Sequence, residues 1–252
     1  MKDIRLLIAI VLFLFISGCS NIQSQRKSSL IDYLYSSNES QPTENIVTTL
    51  TLPIKVGVAF VPETNSYNKS QNSLTEKNKF ELMKLIADRF TSYDFVDSVH
   101  IIPSSYLTQN GGFDDLDKLQ KIQGIDVIAL ISFDQIQFTD EGFLSLSYLT
   151  LIGAYIIAGE KNDTNTMLDT AVYDINSRKL LFRAPGTDQI KNNSTPISLR
   201  KSLRQDSHKS FELATRKMIE NLEAELERFR ERAKNDPKQF EISKGNANPN
   251  KK

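Results

Sequence analysis

The sequence predicts an α/β fold, in which a β-α-β-α-β layer is followed by a long apolar segment, a β-hairpin and a long C-terminal helix. Three observations support this prediction. Short apolar runs alternate with helical periodicity over residues 52–138, a turn-rich stretch separates two apolar runs after residue 166, and apolar residues recur at three- and four-residue steps from residue 198. Strands that alternate with helices favour parallel pairing within the first layer.

The first strand and the first helix are the clearest elements of this layer. Residues 52–61 are rich in β-branched side chains and bounded by proline on both sides, which is typical of a short buried strand. Residues 74–92 have the spacing of an amphipathic helix. We expect the buried face of this helix to consist of Phe80, Met83, Ile86, Ala87 and Phe90.

The layer continues with two more strands and the helix between them. Residues 96–103 and 126–138 are the strands, and the continuous apolar core of the second one indicates burial on both faces. The helix between them ends near residue 123, before a glycine. Its inward residues are expected to be Leu116, Leu119 and Ile122.

Three carboxylates cluster at the start of this second helix, beside a Gly-Gly pair. Asp114, Asp115 and Asp117 offer the oxygen ligands that calcium prefers, but their spacing matches no EF-hand loop. Acidic residues in a first helical turn also cap the helix and complement its dipole. Capping by Asp114 or Asp115 is the favoured interpretation, and no metal site is predicted.

The second half of the chain opens with an uncharged segment, residues 142–159. Its length lies at the lower edge of a membrane span, but it contains serine, threonine, tyrosine and three glycines. We therefore expect a buried strand or helix that lines the sheet, and a membrane-inserting segment is the alternative. The polar residues 160–165 are expected to form a surface loop.

A hairpin and a long helix complete the predicted domain. Residues 167–173 and 179–182 are the two strands of the hairpin, and the Ala-Pro-Gly-Thr stretch at 184–187 is expected to end it sharply. Residues 198–234 carry an apolar stripe among many charged neighbours, which predicts one long helix. Its first half should cover the sheet, while its outer half should project or pair with another chain.

The N-terminus has the layout of a secretory signal. Lys2 and Arg5 precede a dense apolar run over residues 6–16, which is too short to cross a bilayer comfortably. The run leads into Ile16, Ser17, Gly18 and Cys19. An aliphatic residue, two small residues and a cysteine resemble the lipobox that lipoprotein signal peptidase recognises and cleaves.

Cys19 is therefore expected to be lipidated and to become the mature N-terminus. It is the only cysteine in the chain, so the mature chain forms no internal disulfide. A covalent diacylglycerol with an additional acyl chain would hold the protein on a membrane, and no other cofactor is expected. Because the next residue is Ser20 rather than aspartate, we place the protein at the outer membrane, facing the periplasm.

These observations divide the chain into four parts. Residues 1–18 are the signal peptide, residues 19–46 a flexible tether, residues 47–234 a single α/β domain and residues 235–252 a disordered tail. The tether contains one apolar patch, residues 30–35, which is expected to dock on the domain itself rather than on a partner.

The sequence offers little for catalysis or for nucleic-acid binding. Equal numbers of basic and acidic residues, 31 of each, argue against a nucleic-acid partner. His100 and His208 are isolated, and there is no P-loop, no Gly-x-Ser-x-Gly elbow and no paired metal ligands. No catalytic residue is predicted, and a non-enzymatic role is favoured. The enzymatic alternative is an envelope hydrolase with a nucleophile near one of the two histidines.

Three stretches resemble the rhombotarget lipoprotein family. They are residues 112–117 (GFDDLD) together with 126–130 (DVIAL), residues 159–164 (GEKNDT), and residues 179–187 (KLLFRAPGT). The resemblance spans roughly residues 50–230 and implies an exported lipoprotein associated with rhombosortase systems, with no catalytic residue to carry over. The element order is also similar to that of envelope lipoproteins such as the curli-secretion lipoprotein.

The sequence as a whole predicts a lipid-anchored envelope protein that binds or scaffolds a protein partner. The predicted contact surfaces are the patch at residues 30–35 and the outer half of the long helix. An oligomeric export component, with residues 142–159 in the membrane, is a further alternative to the hydrolase.

Overall fold

The computed structural model describes residues 22–35, 47–63, 74–141, 160–195 and 197–244. The elements in these ranges are β1 (Ile22–Lys27), α1 (Leu30–Leu34), β2 (Thr48–Leu52), β3 (Ile54–Phe60), α2 (Glu76–Phe90), β4 (Val96–Ile102), α3 (Gly112–Gln123), β5 (Val127–Glu141), β6 (Glu160–Asp174), β7 (Leu180–Ser194), α4 (Leu199–Asn235) and β8 (Phe240–Lys244). Their composition and order confirm the predicted α/β fold class with its long C-terminal helix.

The main sheet has the strand order β4-β3-β5-β6-β7. β3 pairs in parallel with both β4 and β5, as predicted, while β5, β6 and β7 are antiparallel neighbours. β5 is longer than β3, and β1 pairs antiparallel with the part of β5 that extends beyond it, from Ile22 opposite Thr139 to Lys27 opposite Asp134. β2 and β8 form a separate two-stranded parallel sheet.

The length of β5 divides the sheet into two halves. We call the part built from β3, β4 and residues 127–133, 168–174 and 180–186 the proximal half. The distal half consists of β1 with residues 134–141, 160–167 and 187–194, which lie in register across β5, β6 and β7.

Apolar side chains cover both faces of the proximal half. Because successive side chains of a strand point to opposite faces, Ala129 and Ile131 meet α2 and α4 on one face. Ile128 and Leu130 meet α1 and α3 on the other. All four are buried, and each large aliphatic side chain buried in this way contributes about 1.5–3 kcal/mol.

The N-terminal half of α4 covers one face of the distal half. Here the buried side chains are polar. Gln137 of β5, for example, donates to Thr164 Oγ1 at 3.1 Å and to the carbonyl of Leu203 in α4 at 2.9 Å. On the opposite face Phe138 and Met167 are exposed.

The predicted tether is wrong for residues 22–35, which form a strand and a short helix. The polar sequence of β1 concealed the strand, whose backbone pairs with the free edge of β5 and whose Arg26 is buried under α4. The patch at residues 30–35 docks on the domain itself, where Tyr33 is only 2% exposed. The side chain of Ser29 caps the helix by accepting from the backbone of Asp32.

The predicted disordered tail is wrong for Phe240–Lys244, which is β8. This strand pairs with β2, from Thr48 opposite Phe240 to Leu52 opposite Lys244. The ring of Phe240 packs edge-on against Phe229 of α4, with the centroids 5.3 Å apart. The single strand predicted over residues 52–61 also divides at Pro53 into β2 and β3, which belong to different sheets.

The hairpin is much longer than predicted. β6 begins at Glu160, so residues 160–165 are strand rather than surface loop, and β7 continues through the Pro-Gly pair to Ser194. Pro185 is tolerated because among the described strands β7 pairs only with β6, so one edge needs no N–H donor. Residues 142–159 lie outside the described ranges.

Both helices of the first layer lie where the sequence predicts them, but two expected core residues point outward. Phe80 is 52% exposed and Ile122 is 70% exposed. The other four residues predicted for the buried face of α2 are buried, and Leu82 rather than Phe80 joins them. Helical spacing alone fits both faces, and contact with the sheet decides between them.

Candidate functional site

An apolar cavity of about 950 Å³ lies at the end of the proximal half at which the parallel strands begin. The sheet forms one side, through residues such as Val56 and Val127. α2 and the C-terminal half of α4 form the second side, and the β2–β8 pair lies across the third.

The cavity exists because the two helices on this face end at different places. α2 ends at Phe90, and an ion pair between Arg89 and Glu223 joins its last turn to α4. Beyond this point α4 continues alone to Asn235. Its apolar stripe there consists of Leu222, Leu226, Phe229 and Ala233, all of which line the cavity.

The size of the cavity distinguishes it from an ordinary packing defect. Protein interiors are packed as densely as organic crystals, and few of their voids exceed one water molecule. Ligand-binding pockets, in contrast, range over roughly 300–1,000 Å³ and are lined mainly by apolar side chains with few polar groups. This cavity belongs to the second class by both volume and lining.

The charged side chains of the lining belong to α4 and β8: Arg230, Lys234 and Glu241. The guanidinium of Arg230 lies 5.2 Å from the ring centroid of Phe95 and donates to Glu227 at 2.7 Å. Lys234 donates to Glu231 at 3.1 Å. Because these glutamates neutralise the two basic side chains at the rim of the cavity, the interior is suited to a hydrocarbon ligand rather than to a strongly charged one.

The β2–β8 pair covers the cavity with both buried and exposed apolar side chains. Leu50 of β2 is buried beneath the pair, while Val47 and Ile242 line the cavity and are also exposed to solvent. β8 packs against α4 through Phe240, so this cover is attached to the same helix that forms the second side.

The predicted lipidation residue Cys19 and the predicted peptidase recognition residues Ile16, Ser17 and Gly18 lie outside the described residues.

The acidic cluster of α3 has a structural role. Asp115 accepts from the backbone N–H of Thr108 at 2.7 Å and from its hydroxyl at 2.9 Å, and Lys118 donates to it at 3.1 Å. Burial raises the pKa of Asp115, but these hydrogen bonds outweigh that effect and leave the pKa below its usual value. The N-cap is Gly111 rather than Asp114 or Asp115, so Asp115 holds the preceding loop and does not cap the helix.

The third carboxylate, Asp117, pairs with Arg178 at 3.2 Å. Within the described ranges no group of three or more histidine, cysteine, aspartate or glutamate side chains could hold a metal ion.

The two histidines lie on different elements and have different neighbours. His100 of β4 contacts the hydroxyl of Ser98 through Nε2 at 3.1 Å, and Ser98 donates to Asp97. In a Ser-His-Asp triad the carboxylate instead orients the histidine, so this arrangement differs from that triad. His208 is half exposed on α4, 3.9 Å from Glu81.

The outer half of α4 was expected to project or to pair with another chain, and the expectation that it projects is wrong. Its apolar stripe faces the cavity, and β8 returns along it. Sequence analysis missed the cavity because each lining residue has the signature of an ordinary core position. The continuous stripe beyond residue 220 was the one available signal.

No family model and no curated protein matches this chain. Among solved structures, similarity extends to a neuraminyllactose-binding hemagglutinin homolog from Helicobacter pylori, with 10% identity, a TM-score of 0.37, and coverage of 78% of this chain and 97% of that one. A PelC dodecamer from Paraburkholderia phytofirmans has 10% identity and a TM-score of 0.28, with coverage of 76% and 96%. Lipoprotein GNA1162 from Neisseria meningitidis has 12% identity and a TM-score of 0.28, with coverage of 64% and 94%.

At these identities and TM-scores no function is transferred to this chain. Among the described residues, no helix combines the length and the apolar character that a membrane span requires. The structure is a mixed α/β domain in which helices cover a six-stranded sheet and a long C-terminal helix borders an apolar cavity.

Proposed function

We propose that this protein is a lipid-anchored component of the bacterial envelope that faces the periplasm and binds an apolar ligand in the cavity. The observation that carries the proposal is the cavity itself, whose volume and apolar lining match those of ligand sites. The ligand class that fits is an acyl chain or a comparable extended hydrocarbon.

The anchoring part of the proposal is supported by the sequence. Ile16, Ser17 and Gly18 precede the only cysteine of the chain, and a basic start and an apolar run precede them. Cys19 would carry a diacylglycerol and an amide-linked acyl chain, and two or more chains give stable membrane attachment. Ser20 supports placement at the outer membrane, and membership of the rhombotarget family is part of the same proposal.

Hydrophobic burial would supply the affinity. Transfer of apolar surface from water to an apolar site is favourable by about 25 cal/mol per Å². A preformed apolar cavity needs little rearrangement to accept a hydrocarbon, which avoids much of the ordering cost of binding. Because Arg230 and Lys234 already pair with glutamates, the rim adds little net charge to the site.

The test uses the mature protein with the substitution Cys19→Ala. This protein is titrated with a fluorescent fatty-acid analogue. We expect saturable binding with a stoichiometry of one. Val56→Phe places a larger side chain in the cavity and should weaken binding at least tenfold, whereas Ile122→Phe, at an exposed site on α3, should leave it unchanged.

Equal binding by both variants would contradict the proposal, since the probe would then occupy another surface. Circular dichroism of the two variants verifies that each is folded.

A further inference from the structure

The start of β1 fixes which end of the protein lies next to the lipid. β1 begins at Ile22, three residues after Cys19. Three residues span at most about 11 Å when fully extended. A lipid on Cys19 would therefore be held beside the end of the distal half, because only three residues separate Cys19 from Ile22.

The N-terminus of α4 lies at the same end of the molecule. Ser24 of β1 is in register with Gln137 of β5, and the side chain of Gln137 donates to the carbonyl of Leu203 at 2.9 Å. Two residues further along β1, Arg26 donates to Ser207 of α4 at 3.3 Å. The first turns of α4 thus lie beside the strand that leads to the anchor.

Three basic side chains are exposed on these first turns: Arg200, Lys201 and Arg204. None of them forms an ion pair with another residue in the described ranges. Farther along the same helix most basic residues form ion pairs, as in Arg216 with Glu212 and Lys217 with Asp188. The exceptions in the described ranges are Lys209 and Arg232, of which Arg232 donates to the carbonyl of Leu181. Of the five arginine and lysine side chains of α4 that form no ion pair in the described ranges, three therefore lie in its first two turns, near the anchor.

Helix stability does not account for this cluster. The N-terminus of a helix carries partial positive charge, so basic residues in the first turns are unfavourable for the helix. The first turn of α4 contains no acidic residue, and Ser198 at the N-cap makes no side-chain capping bond. Ile197, immediately before it, is 56% exposed.

We propose that the first two turns of α4 lie against the anionic phospholipid surface of the membrane that holds the Cys19 lipid. This inference depends on lipidation at Cys19, as in the proposed function, but not on the cavity. Arg200, Lys201 and Arg204 would face the phosphate groups, and Ile197 would lie at the boundary with the acyl chains. A basic residue near such a surface contributes about fivefold to the binding constant at low ionic strength.

The cavity then lies far from the anchoring membrane. Val127, which lines the cavity, and Thr139, opposite Ile22, are at opposite ends of β5. At about 3.3 Å per residue the strand separates them by about 40 Å. The cavity would open toward the periplasm rather than toward the bilayer that holds the protein.

The single cysteine makes a direct test possible. The purified mature chain is coupled through Cys19 to maleimide lipid in vesicles, which sets the anchor whether or not the cell lipidates this residue. One vesicle preparation contains phosphatidylglycerol and the other only phosphatidylcholine. Lysine acylation by a membrane-impermeant reagent is followed by mass spectrometry at Lys201 and at Lys234, which lies at the cavity end.

We expect Lys201 to react about fivefold more slowly on the anionic vesicles at low salt, with the difference lost at high salt. Lys234 should react equally on both. The variant Arg200→Gln with Arg204→Gln should lose the protection of Lys201. The matched variant Arg216→Gln with Arg228→Gln removes the same charge from paired sites and should retain it.

Equal reactivity of Lys201 on the two kinds of vesicle would overturn the proposal, as would protection of Lys234 instead. Protection of Lys201 in cell envelopes but not on either vesicle would assign the surface to a protein and likewise refute a lipid surface. The fatty-acid titration is independent of all these outcomes, so failure of the cavity proposal is recognised separately.

Discussion

The proximal half of the sheet is packed by apolar side chains on both faces, whereas the distal half is packed on one face by hydrogen-bonded polar side chains. Apolar contacts have no preferred direction, so helices of unequal length can leave an unfilled volume between them without breaking any bond. Hydrogen bonds need defined distances and angles. The apolar half therefore provides space for a ligand, and the polar half fixes the register of the strand that leads to the anchor.

The polar half is also where packing is least complete in hydrogen-bonding terms. Arg26 donates to Gln135 at 2.9 Å and to Ser207, but its Nη1 has no partner among the described protein atoms. The same holds for Gln137 Oε1 and Ser210 Oγ. Burial lowers the pKa of Arg26, with Glu63 opposing that effect. A substitution that removes a further partner here leaves buried polar groups unpaired, which costs about 1–3 kcal/mol for each group.

The largest effect is expected at the boundary of the two halves, from Gly186→Val. A Cβ atom at Gly186 would lie 2.3 Å from the carbonyl oxygen of Ala214 and 2.6 Å from the backbone nitrogen of Met218, so α4 must move away from β7. We expect a loss of about 3 kcal/mol or more in the free energy of unfolding, measured by urea denaturation. Pro185→Ala, at an exposed neighbour on the opposite face, is the control.

A loss below about 1 kcal/mol in the free energy of unfolding of Gly186→Val would show that α4 is not held closely against the sheet. The close contact between α4 and β7 at the boundary of the two halves would then be refuted.

A smaller effect is expected from Gln135→Leu in the distal half. Gln135 accepts from Arg26 and from Ser207 and donates to Thr166 at 2.7 Å, so its loss leaves these buried groups unpaired. We expect a cost of about 2–4 kcal/mol. Hydrogen–deuterium exchange should accelerate in β1 more than in β3.

Gln25→Leu is the matched control for this variant, because Gln25 bonds Asp134 at the surface and its loss should cost less than about 0.5 kcal/mol. Similar stability of the two variants would refute a polar layer that fixes the register of β1.

The smallest effect is a difference between two leucine truncations in the proximal half. Leu119→Ala removes a side chain from the fully packed core under α3 and should cost about 2–5 kcal/mol. Leu222 is equally buried but borders the cavity, so it has fewer packing partners to lose. We expect Leu222→Ala to be less costly by about 1 kcal/mol in thermal or urea denaturation.

An equal cost for both leucines would indicate that the cavity collapses in solution. Addition of the fatty-acid analogue should stabilise the protein with Leu222 intact and leave the melting temperature of Val56→Phe unchanged.

The sequence was sufficient for the fold class and for most of the first layer. Some elements can be recognised from a few neighbouring residues, because their burial pattern is local. Examples are the continuous apolar run at residues 127–131 and the apolar stripe of α4. Phe80 and Ile122 show the limit of this reasoning, because helical spacing defines a face only to within about one residue and the sheet decides the rest.

The missed elements have a different cause. β1 and β8 are polar strands whose stability comes from backbone pairing with β5 and β2. No pattern within either strand indicates that a strand distant in the sequence has an unpaired edge to which it can bind. The continuation of β7 through Pro185 and Gly186 contradicts local turn signals, because α4 requires a residue without a side chain at that point. The cavity results from the spacing between elements, which no single segment encodes.

The pairing of β2 with β8 has a consequence for the order in which parts of the protein fold. Thr48 pairs with Phe240, so the cover of the cavity joins an early and a late segment of the chain. Contacts of such large sequence separation form late. During synthesis and export the strands and helices that line the cavity would emerge before Phe240–Lys244, and their apolar surface would be uncovered in that interval. A chaperone of the export route, or the ligand itself, would have its greatest opportunity to bind at this stage.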